Sequence, residues 1–314
     1  MQMAPDPADR AARIAGLGYD HAAQPKRVRS LCNLCGGERF VTLTHRDRYG
    51  YAAPADGCLR CGLVFLNPVM TAEAYTGFYA KVYRPLVSAY HGRRIDAETL
   101  QAEQREYAAV RADTLAPHLA RRSLKSLLDV GGSTGVVAHH LKQRFELEAT
   151  VVDPAPLEIE VARRLGLQTR TGFVEDFDPG ERRFDLITLC QTVDHLLDVS
   201  LSLGKIRALL AEDGVFFVDI VDFRAAYRRN GSVEEAIKID HPFYLTEQTM
   251  RAYLRRSGFE VLAVDYAADH LHVGYVCGPG IAEPGFTPAP ESVERQWREI
   301  RAIQNPLPGS AAGP

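Results

Sequence analysis

The sequence has no run approaching about 18 consecutive apolar residues, the length that a membrane-spanning helix requires. It also lacks a strong charge of either sign, because a formal net charge of −3 over 314 residues gives no general attraction to nucleic acid. No apolar stretch typical of a secretory signal precedes the first cysteine. We therefore expect a cytoplasmic protein that does not enter a membrane and does not have nucleic acid as its partner.

The most informative segment that is present is the glycine-containing run SLKSLLDVGGSTG. A predicted strand ends at Asp129, turns through Gly131, Gly132 and Gly135, and leads into a helix, an order that forms a cradle for a nucleoside cofactor. Glycine admits positive φ and leaves no Cβ between backbone and ligand. The next apolar run ends at Asp153, 24 residues after Asp129. A carboxylate at that position is suited to accept both hydroxyls of a ribose.

A dinucleotide site is the main alternative for this loop. A GxGxxG motif starting at Gly131 would need glycine where this chain has Ser133 and Val136, so NAD fits poorly. The spacing D-x-G-x-x-x-G, followed by an acid at the end of the second strand, instead resembles the class I methyltransferases that bind S-adenosylmethionine (SAM). The usual motif of that family has a glycine at the position of Ser133, and serine is small enough to preserve the loop.

The resemblance implies which residues contact the cofactor. Asp153 would hold the ribose, and Asp129 with the glycine backbone would face the methionine moiety. Asp176 would accept the adenine amino group and Phe177 would stack on the ring, with Glu175 as the other acceptor candidate. The complete predicted cofactor set is Asp129, Gly131, Gly132, Gly135, Asp153, Asp176, Phe177 and Gln191.

The chain from 123 to 278 alternates short apolar strands with helical patterns. FDLITLC predicts a buried fourth strand, GVFFVDIVD a fifth, and HLHVGYVCG a last strand. Such alternation predicts a mostly parallel sheet covered on both faces. We therefore expect an α/β fold, a Rossmann-like class I methyltransferase sheet with helices on both faces, together with a small N-terminal zinc ribbon.

The zinc ribbon is predicted from two cysteine pairs. Cys32 and Cys35 are separated from Cys58 and Cys61 by 22 residues, and each pair is followed by glycine. Four thiolates in two tight pairs suit tetrahedral zinc with bonds of about 2.3 Å. Disulfides are the alternative, but cysteines in a reducing cytosol more often bind metal or perform redox chemistry. The two remaining cysteines fall in predicted strands and are expected to pack in the core.

A paired-cysteine ribbon ahead of a SAM fold resembles a bacterial methyltransferase group of sugar, polysaccharide and natural-product pathways. The resemblance implies a small-molecule acceptor: a sugar, sugar nucleotide or natural-product intermediate methylated on O, N or C. The sugar C-methyltransferases of this group carry a further C-terminal domain with their catalytic Tyr and His, whereas this sequence ends soon after its last predicted strand. The alternatives are an RNA methyltransferase that docks RNA through the ribbon, and a non-catalytic SAM-binding scaffold.

Methyl transfer to a hydroxyl or an acidic carbon needs a general base. His195 follows the fourth strand and His241 follows the fifth, so both are expected near the cofactor edge. Asp194 orients His195, binds a metal or acts as the functional acid, and Tyr244 offers a neighbouring hydroxyl. These four residues are the predicted catalytic set.

The composition of the sequence predicts how the chain is divided into segments. We predict disordered tails at 1–28 and at most of 279–314, a zinc ribbon at 29–70, a helical connector or lid at 71–122, and the SAM-binding domain at 123–278. Aromatic residues in the connector either line the substrate mouth or pack as core. They are Tyr75, Phe78, Tyr79 and Tyr83. The sequence does not indicate an oligomeric state.

Overall fold

The computed structural model describes residues 7–120 and 122–305. Within these ranges the α-helices are α1 (Pro7–Ala15), α2 (Ala72–Lys81), α3 (Tyr83–His91), α4 (Leu100–Leu119), α5 (Val136–Phe145), α6 (Pro156–Arg164), α7 (Val199–Leu209), α8 (Phe223–Asn230), α9 (Glu247–Arg256) and α10 (Pro290–Gln304). Short 3₁₀ turns lie at Val174–Asp176, Val193–His195 and Glu234–Ala236. In this part of the chain no helix is both long and apolar enough to cross a membrane.

The strands in chain order are β1 (Lys26–Arg27), β2 (Phe40–Arg46), β3 (Ala52–Cys58), β4 (Val64–Leu66), β5 (Val69–Met70), β6 (Ser126–Val130), β7 (Glu148–Asp153), β8 (Gln168–Thr171), β9 (Phe184–Leu189), β10 (Leu210–Val221), β11 (Phe243–Tyr244), β12 (Phe259–Tyr266) and β13 (His272–Pro279). They form a two-stranded, a four-stranded and a seven-stranded sheet.

The seven-stranded sheet has the order β12-β13-β10-β9-β6-β7-β8. Its ladders from β10 to β8 are parallel, whereas β13 runs antiparallel to both β10 and β12. The central strand β6 is buried along its whole length, as expected for a strand covered on both sides. Helices α4, α5 and α6 contribute to the core on one face, and α7 and α9 to the core on the other. The predicted Rossmann-like fold is confirmed.

The four-stranded sheet has the order β11-β4-β3-β2. Three of its strands come from the predicted ribbon, but β11 belongs to the chain after the fifth strand of the main sheet. Phe243 pairs with Phe65, and Tyr244 pairs with Val64. The ribbon is therefore completed by a strand from the other half of the chain. Because β11 has only two residues, this pairing could not be predicted from a strand pattern.

The predicted tails are wrong for the described residues. Helix α1 buries Ile14, and the Nε atom of Arg13 donates to the carbonyl of Ala89 over 2.8 Å. Helix α10 packs on the ribbon, where the side-chain amide of Gln296 donates to the carbonyl of Gly62 over 2.7 Å. Helix α1 has an apolar stripe too short to register as sustained periodicity, whereas α10 covers residues 291–303, the one segment of the C-terminal tail whose pattern is helical. Residues 1–6 and 306–314 of the predicted tails lie outside the described residues.

A glycine makes the docking of α10 possible. A Cβ built on Gly57 would collide with the ring of Trp297, which is buried in α10. The only tryptophan of the sequence therefore lies directly on the backbone of strand β3. The ribbon is buried between the C-terminal helix and the rest of the molecule.

Candidate active site

A cleft with about 800 Å³ of empty space opens at the carboxyl ends of the parallel strands. Val130 ends β6 and Asp153 ends β7, and both line the cleft. Gln191 lines it from the segment that follows β9. Open α/β sheets bind ligands at this edge. The cleft therefore lies where the glycine loop was expected to hold a cofactor.

The glycine loop uses left-handed backbone at alternate positions. Gly131, Ser133 and Gly135 have φ of +66°, +50° and +75°. Ser133 thus adopts the conformation for which glycine is normally chosen. A Cβ on Gly131 would collide with the side chain of Thr192, and one on Gly135 would lie 2.8 Å from the Cβ of Ala162. These glycines are needed for packing within the protein as well as for the turn.

Asp153 is the carboxylate that the structure brings to the cleft. Its Oδ2 accepts the backbone N–H of Ser133 over 2.9 Å, and its Oδ1 accepts that of Ala155 over 2.8 Å. Burial raises the pKa of Asp153 to about 6. Each carboxylate oxygen can accept a second hydrogen bond, so the group can still receive the hydroxyls of a ribose.

Asp129 is fully buried behind the glycine loop and is not among the residues that line the cleft. Its Oδ1 accepts the hydroxyl of Thr188 over 2.7 Å, whereas its Oδ2 has no partner among the described residues. A Cβ on Gly132 would collide with that Oδ2. Burial raises the pKa of Asp129 to about 7, and the charge of Asp153 contributes in the same direction. The structure therefore does not place Asp129 in direct reach of the cleft.

The structure also separates the predicted adenine contacts from the cleft. Asp176 is exposed, and Phe177 packs inward with its ring centroid 6.3 Å from that of Phe184. Glu175 and Phe173 line the cleft instead. The reason is local, because a 3₁₀ turn over Val174–Asp176 points consecutive side chains about 120° apart. Of the two carboxylates offered by the sequence, the structure brings Glu175 to the cleft.

Gln191 is held by a buried ionic cluster that the sequence did not reveal. Its φ is +49°, and its backbone N–H donates to Oδ1 of Asp219 over 2.6 Å. Asp219 also accepts the hydroxyl of Tyr107 over 2.6 Å and lies 4.0 Å from the guanidinium of Arg111. Helix α4 thereby fixes the backbone at the rim of the cleft. Asp219 is inside strand β10, where an acid between apolar residues was the available signal.

Beside the cleft, two histidines and their acids form a compact cluster. His241 Nδ1 lies 2.8 Å from Oδ2 of Asp194, and its Nε2 lies 3.3 Å from Oδ2 of Asp240. The rings of His241 and His195 meet edge to face with centroids 4.4 Å apart. His195 Nδ1 is 3.0 Å from the hydroxyl of Tyr79. The structure thus brings together three of the four predicted catalytic residues.

The cluster is strongly polarised. Burial alone would raise the pKa of Asp194, but the neighbouring His241 and the charges beyond it hold that pKa well below its usual range. Burial lowers the pKa of His195 to about 4, and the neighbouring His241 acts in the same direction. His195 is therefore neutral near pH 7, and Asp194 is ionised.

Tyr244, the fourth predicted catalytic residue, makes no hydrogen bond to the histidine cluster among the described residues. It is buried, and its hydroxyl donates to the carbonyl of Lys238 over 2.7 Å while accepting that residue's N–H over 2.9 Å. Tyr244 does not line the cofactor cleft. Its hydroxyl closes a loop around Lys238, and its side chain lines a second cavity together with His241.

The connector aromatics divide between the two predicted roles. Tyr79 and Tyr83 line the cleft, whereas Tyr75 and Phe78 are buried in the core. Tyr79 stacks on Tyr75 one turn earlier in α2, and Tyr83 begins α3. The connector therefore forms one wall of the site.

Four sulfur atoms form a second cluster in the ribbon. Cys32 and Cys61 have Sγ atoms 3.5 Å apart, and those of Cys35 and Cys58 are 3.6 Å apart. All four sulfurs lie within 4.8 Å of one another and are buried. A tetrahedral zinc with Zn–S bonds of about 2.3 Å puts sulfurs about 3.8 Å apart, so these residues fit the metal.

The ribbon also holds the His241 segment. The N–H of Leu66 donates to the carbonyl of Pro242 over 3.0 Å, next to His241 in the chain. The N–H of Ile239 donates to Oδ2 of Asp47 over 3.0 Å. Hydrogen bonds from the ribbon thus flank His241 on both sides.

Comparison with known proteins places the chain among methyltransferases. The family described as a methyltransferase domain matches residues 100–264, just over half of the chain. The ubiquinone biosynthesis O-methyltransferases of Methylocella silvestris and Bradyrhizobium diazoefficiens are 33% and 29% identical over 106 and 102 residues. Each alignment covers 31% of this chain and 41% or 40% of the relative, so the chain matches about two fifths of their length.

Among solved structures, the chain is similar to a 1,6-didemethyltoxoflavin-N1-methyltransferase of Burkholderia thailandensis with bound 1,6-didemethyltoxoflavin and S-adenosylhomocysteine. It is 21% identical with a TM-score of 0.49, and the match covers 70% of this chain and 96% of that one. A SAM-dependent methyltransferase of Clostridium acetobutylicum is 16% identical with a TM-score of 0.44, covering 66% and 99% of the two chains.

Proposed function

The chain belongs to the methyltransferase-domain family and is a SAM-dependent methyltransferase, and on that premise we propose that it methylates a small-molecule acceptor with His241 as general base. The acceptor is a sugar, a sugar nucleotide or a natural-product intermediate, methylated on O, N or C. The observation that carries the proposal is the 2.8 Å contact between His241 and Asp194 beside the cleft.

The cleft residues support SAM binding. The carboxylate of Asp153 accepts the ribose hydroxyls, the carboxylate of Glu175 accepts the adenine amino group, and Phe173 lies against the adenine. The hydroxyl of Ser202 donates to Glu175, which fixes the carboxylate. Asp129 supports the loop from behind. When bound, SAM supplies an activated methyl group, so the protein mainly aligns the acceptor with it.

His241 is favoured as the base because its ring is oriented. A proton on Nδ1 donated to Asp194 leaves the lone pair on Nε2, beside the ammonium of Lys238 and the carboxylate of Asp240, in a tautomer assigned from the hydrogen-bond network. An acceptor that replaces the contact with Lys238 passes its proton to this nitrogen. Asp194 then stabilises the imidazolium that forms. His195 is the second candidate because it lines the cofactor cleft, but its pKa of about 4 makes it the weaker base near neutral pH.

The donor atoms of Asp194, His195 and His241 also lie within 4.8 Å of one another, a spacing compatible with a metal ion. The ammonium of Lys238 lies 3.3 Å from His241 Nε2 and opposes a cation there. We therefore assign these residues to proton transfer. Zinc is proposed only for the four cysteines, in a structural role, because four thiolates leave no open position for a substrate.

The packing of the ribbon supports a small molecule over RNA. The side chain of Asn33, inside the first cysteine pair, contacts Oδ1 of Asp198 at 2.6 Å and accepts the hydroxyl of Tyr253 over 2.9 Å. This knuckle therefore faces the protein core. A scaffold that only binds SAM would have no need for the buried pair of His241 and Asp194 beside the cleft.

The test is transfer of a labelled methyl group from SAM to a panel of sugar nucleotides, hydroxylated natural products and ribosomal RNA. We expect label in a small-molecule product, and none with Asp153→Ala. Label in RNA alone, or a parent protein that prefers NAD to SAM, would contradict the proposal.

A further inference from the structure

A second cavity, with about 880 Å³ of empty space, lies behind the histidine cluster. His241 and Asp194 line this cavity, whereas His195 lines the cofactor cleft. The two imidazole rings in contact therefore lie where the cofactor cleft and the second cavity adjoin. A molecule in the second cavity can reach His241 and extend toward the cofactor cleft.

The walls of the second cavity carry three cations: Arg48 from the ribbon, Arg229 from α8, and Lys238. Among the described residues, no carboxylate oxygen lies within 4 Å of their charged nitrogen atoms. Arg48 donates one Nη2 hydrogen bond to the hydroxyl of Tyr90 over 2.6 Å, and its Nε is buried with no partner among the same residues. Asp240 and Asp194 stabilise the charge of Lys238 from beyond that distance, and the guanidinium of Arg48 lies over the ring of Tyr90.

Lys238 is the cation nearest to the proposed base. Its Nζ lies 3.3 Å from His241 Nε2. Burial lowers the pKa of Lys238, and the charge of Asp240 opposes that effect. Lys238 is half-buried, and an anion bound beside its ammonium adds to the stabilisation that Asp240 and Asp194 supply.

The carboxylates that line the cavity do not cancel this charge. Asp194 is paired with His241, and Glu235 is exposed at the mouth. Two guanidinium groups and an ammonium around one cavity match the oxygen atoms of a phosphoryl group, which arginine can bind in bidentate fashion.

We propose that this cavity binds a phosphoryl group of the methyl acceptor through Arg48, Arg229 and Lys238, which places the acceptor's nucleophile at His241. The inference rests on the proposed function and makes the substrate class an anionic, phosphorylated small molecule. The same chemistry is offered by a nucleoside diphosphate and by a simple phosphate ester.

The test is calorimetric titration of the full chain, saturated with S-adenosylhomocysteine, with inorganic pyrophosphate at constant ionic strength. We expect binding that Arg48→Gln and Arg229→Gln each weaken about tenfold or more. Arg46→Gln is the matched control, because Arg46 is exposed on the same ribbon and does not line the cavity. Because Arg229 is exposed on α8, we expect Arg229→Gln to fold like the parent protein, so this variant tests the site even if Arg48→Gln misfolds.

Separate titrations with inorganic phosphate and with a nucleoside diphosphate distinguish a nucleotide-linked acceptor from a simple phosphate ester. Tighter binding of the nucleoside diphosphate identifies the nucleotide-linked acceptor. Absence of pyrophosphate binding, equal binding of malonate, or equal loss in Arg46→Gln overturns the phosphoryl site. If S-adenosylhomocysteine binds normally in those same experiments, the cofactor assignment still stands. If it does not bind the parent protein, the proposed function itself fails.

Discussion

His241 and Asp194 face each other at 2.8 Å although 46 residues separate them in the chain, and the two belong to segments that follow different strands of the main sheet. The hydrogen bond fixes the imidazole plane. The opposite ring nitrogen is directed toward Asp240 and Lys238. A base with a fixed ring and an ionised partner is prepared for proton transfer before an acceptor arrives.

Replacement of His241 tests the base. With an acceptor in hand, we expect His241→Gln and His241→Ala to lower turnover at least about 10²-fold with SAM affinity unchanged. His195→Gln and His195→Ala are the matched variants and should have smaller effects. Thermal unfolding should accompany the assays, because His241→Gln and His241→Ala both leave Asp194 without its partner. Near-parental turnover in all four variants would mean that the enzyme acts by alignment alone.

Cofactor affinity should depend on pH through Asp153. The raised pKa means that this carboxylate is ionised above about pH 6 and gains a proton as the pH falls through that value. Hydrogen bonds to a charged acceptor are stronger than those to a neutral one. We expect affinity for S-adenosylhomocysteine, measured by calorimetry, to fall below about pH 6 in the parent protein.

Two variants of that aspartate complete the experiment. Asp153→Asn should bind more weakly at pH 7.5 and lose most of the pH dependence. Asp153→Ala should bind at least about tenfold more weakly, because bonds to a charged group contribute about 1.5–3 kcal/mol each. Cofactor binding by Asp153→Ala as tight as in the parent would refute the ribose assignment.

The adenine contact separates two adjacent carboxylates. Glu175→Gln should weaken cofactor binding about tenfold, because the replacement removes a charged acceptor that lines the cleft. Asp176→Asn is the control and should bind like the parent, since Asp176 is exposed away from the cleft. Competition binding with S-adenosylhomocysteine measures both. The reverse order of effects would restore the assignment made from the sequence.

Metal content and its removal test the ribbon. Freshly purified, reduced protein without a tag should contain about one zinc per chain by elemental analysis. Chelation should raise hydrogen exchange at the amides of Phe243 and Tyr244, because β11 pairs only with the ribbon strand β4 among the described elements. Amides in β6 should change less. Absence of metal, or intact disulfides by mass spectrometry, would contradict the zinc site.

The sequence was sufficient where function depends on local spacing. The strand that ends at Asp153 and the two cysteine pairs were predictable, because each is defined within a few residues. The adenine contact was not, since a single 3₁₀ turn decides whether Glu175 or Asp176 faces the cleft. A sequence pattern does not determine which of two adjacent residues in such a turn faces the cleft.

Contacts between distant segments were the other gap. The pairing of Phe65 with Phe243 joins strands of three and two residues, which are too short for an alternating pattern. The packing of Trp297 against Gly57 likewise depends on a glycine that reads as an ordinary strand residue. Only the folded chain shows that β11 and α10 both pack on the ribbon.

The shared ribbon sheet decides how the protein can be divided. A fragment limited to residues 100–264 would keep the cofactor loop but strip β11 of the strand it pairs with. It would also uncover the apolar faces that now touch the ribbon and α10, leaving an unprotected edge that invites aggregation. The segment recognised as a methyltransferase is therefore smaller than the piece that can fold alone, and the base His241 depends for its position on residues outside that segment.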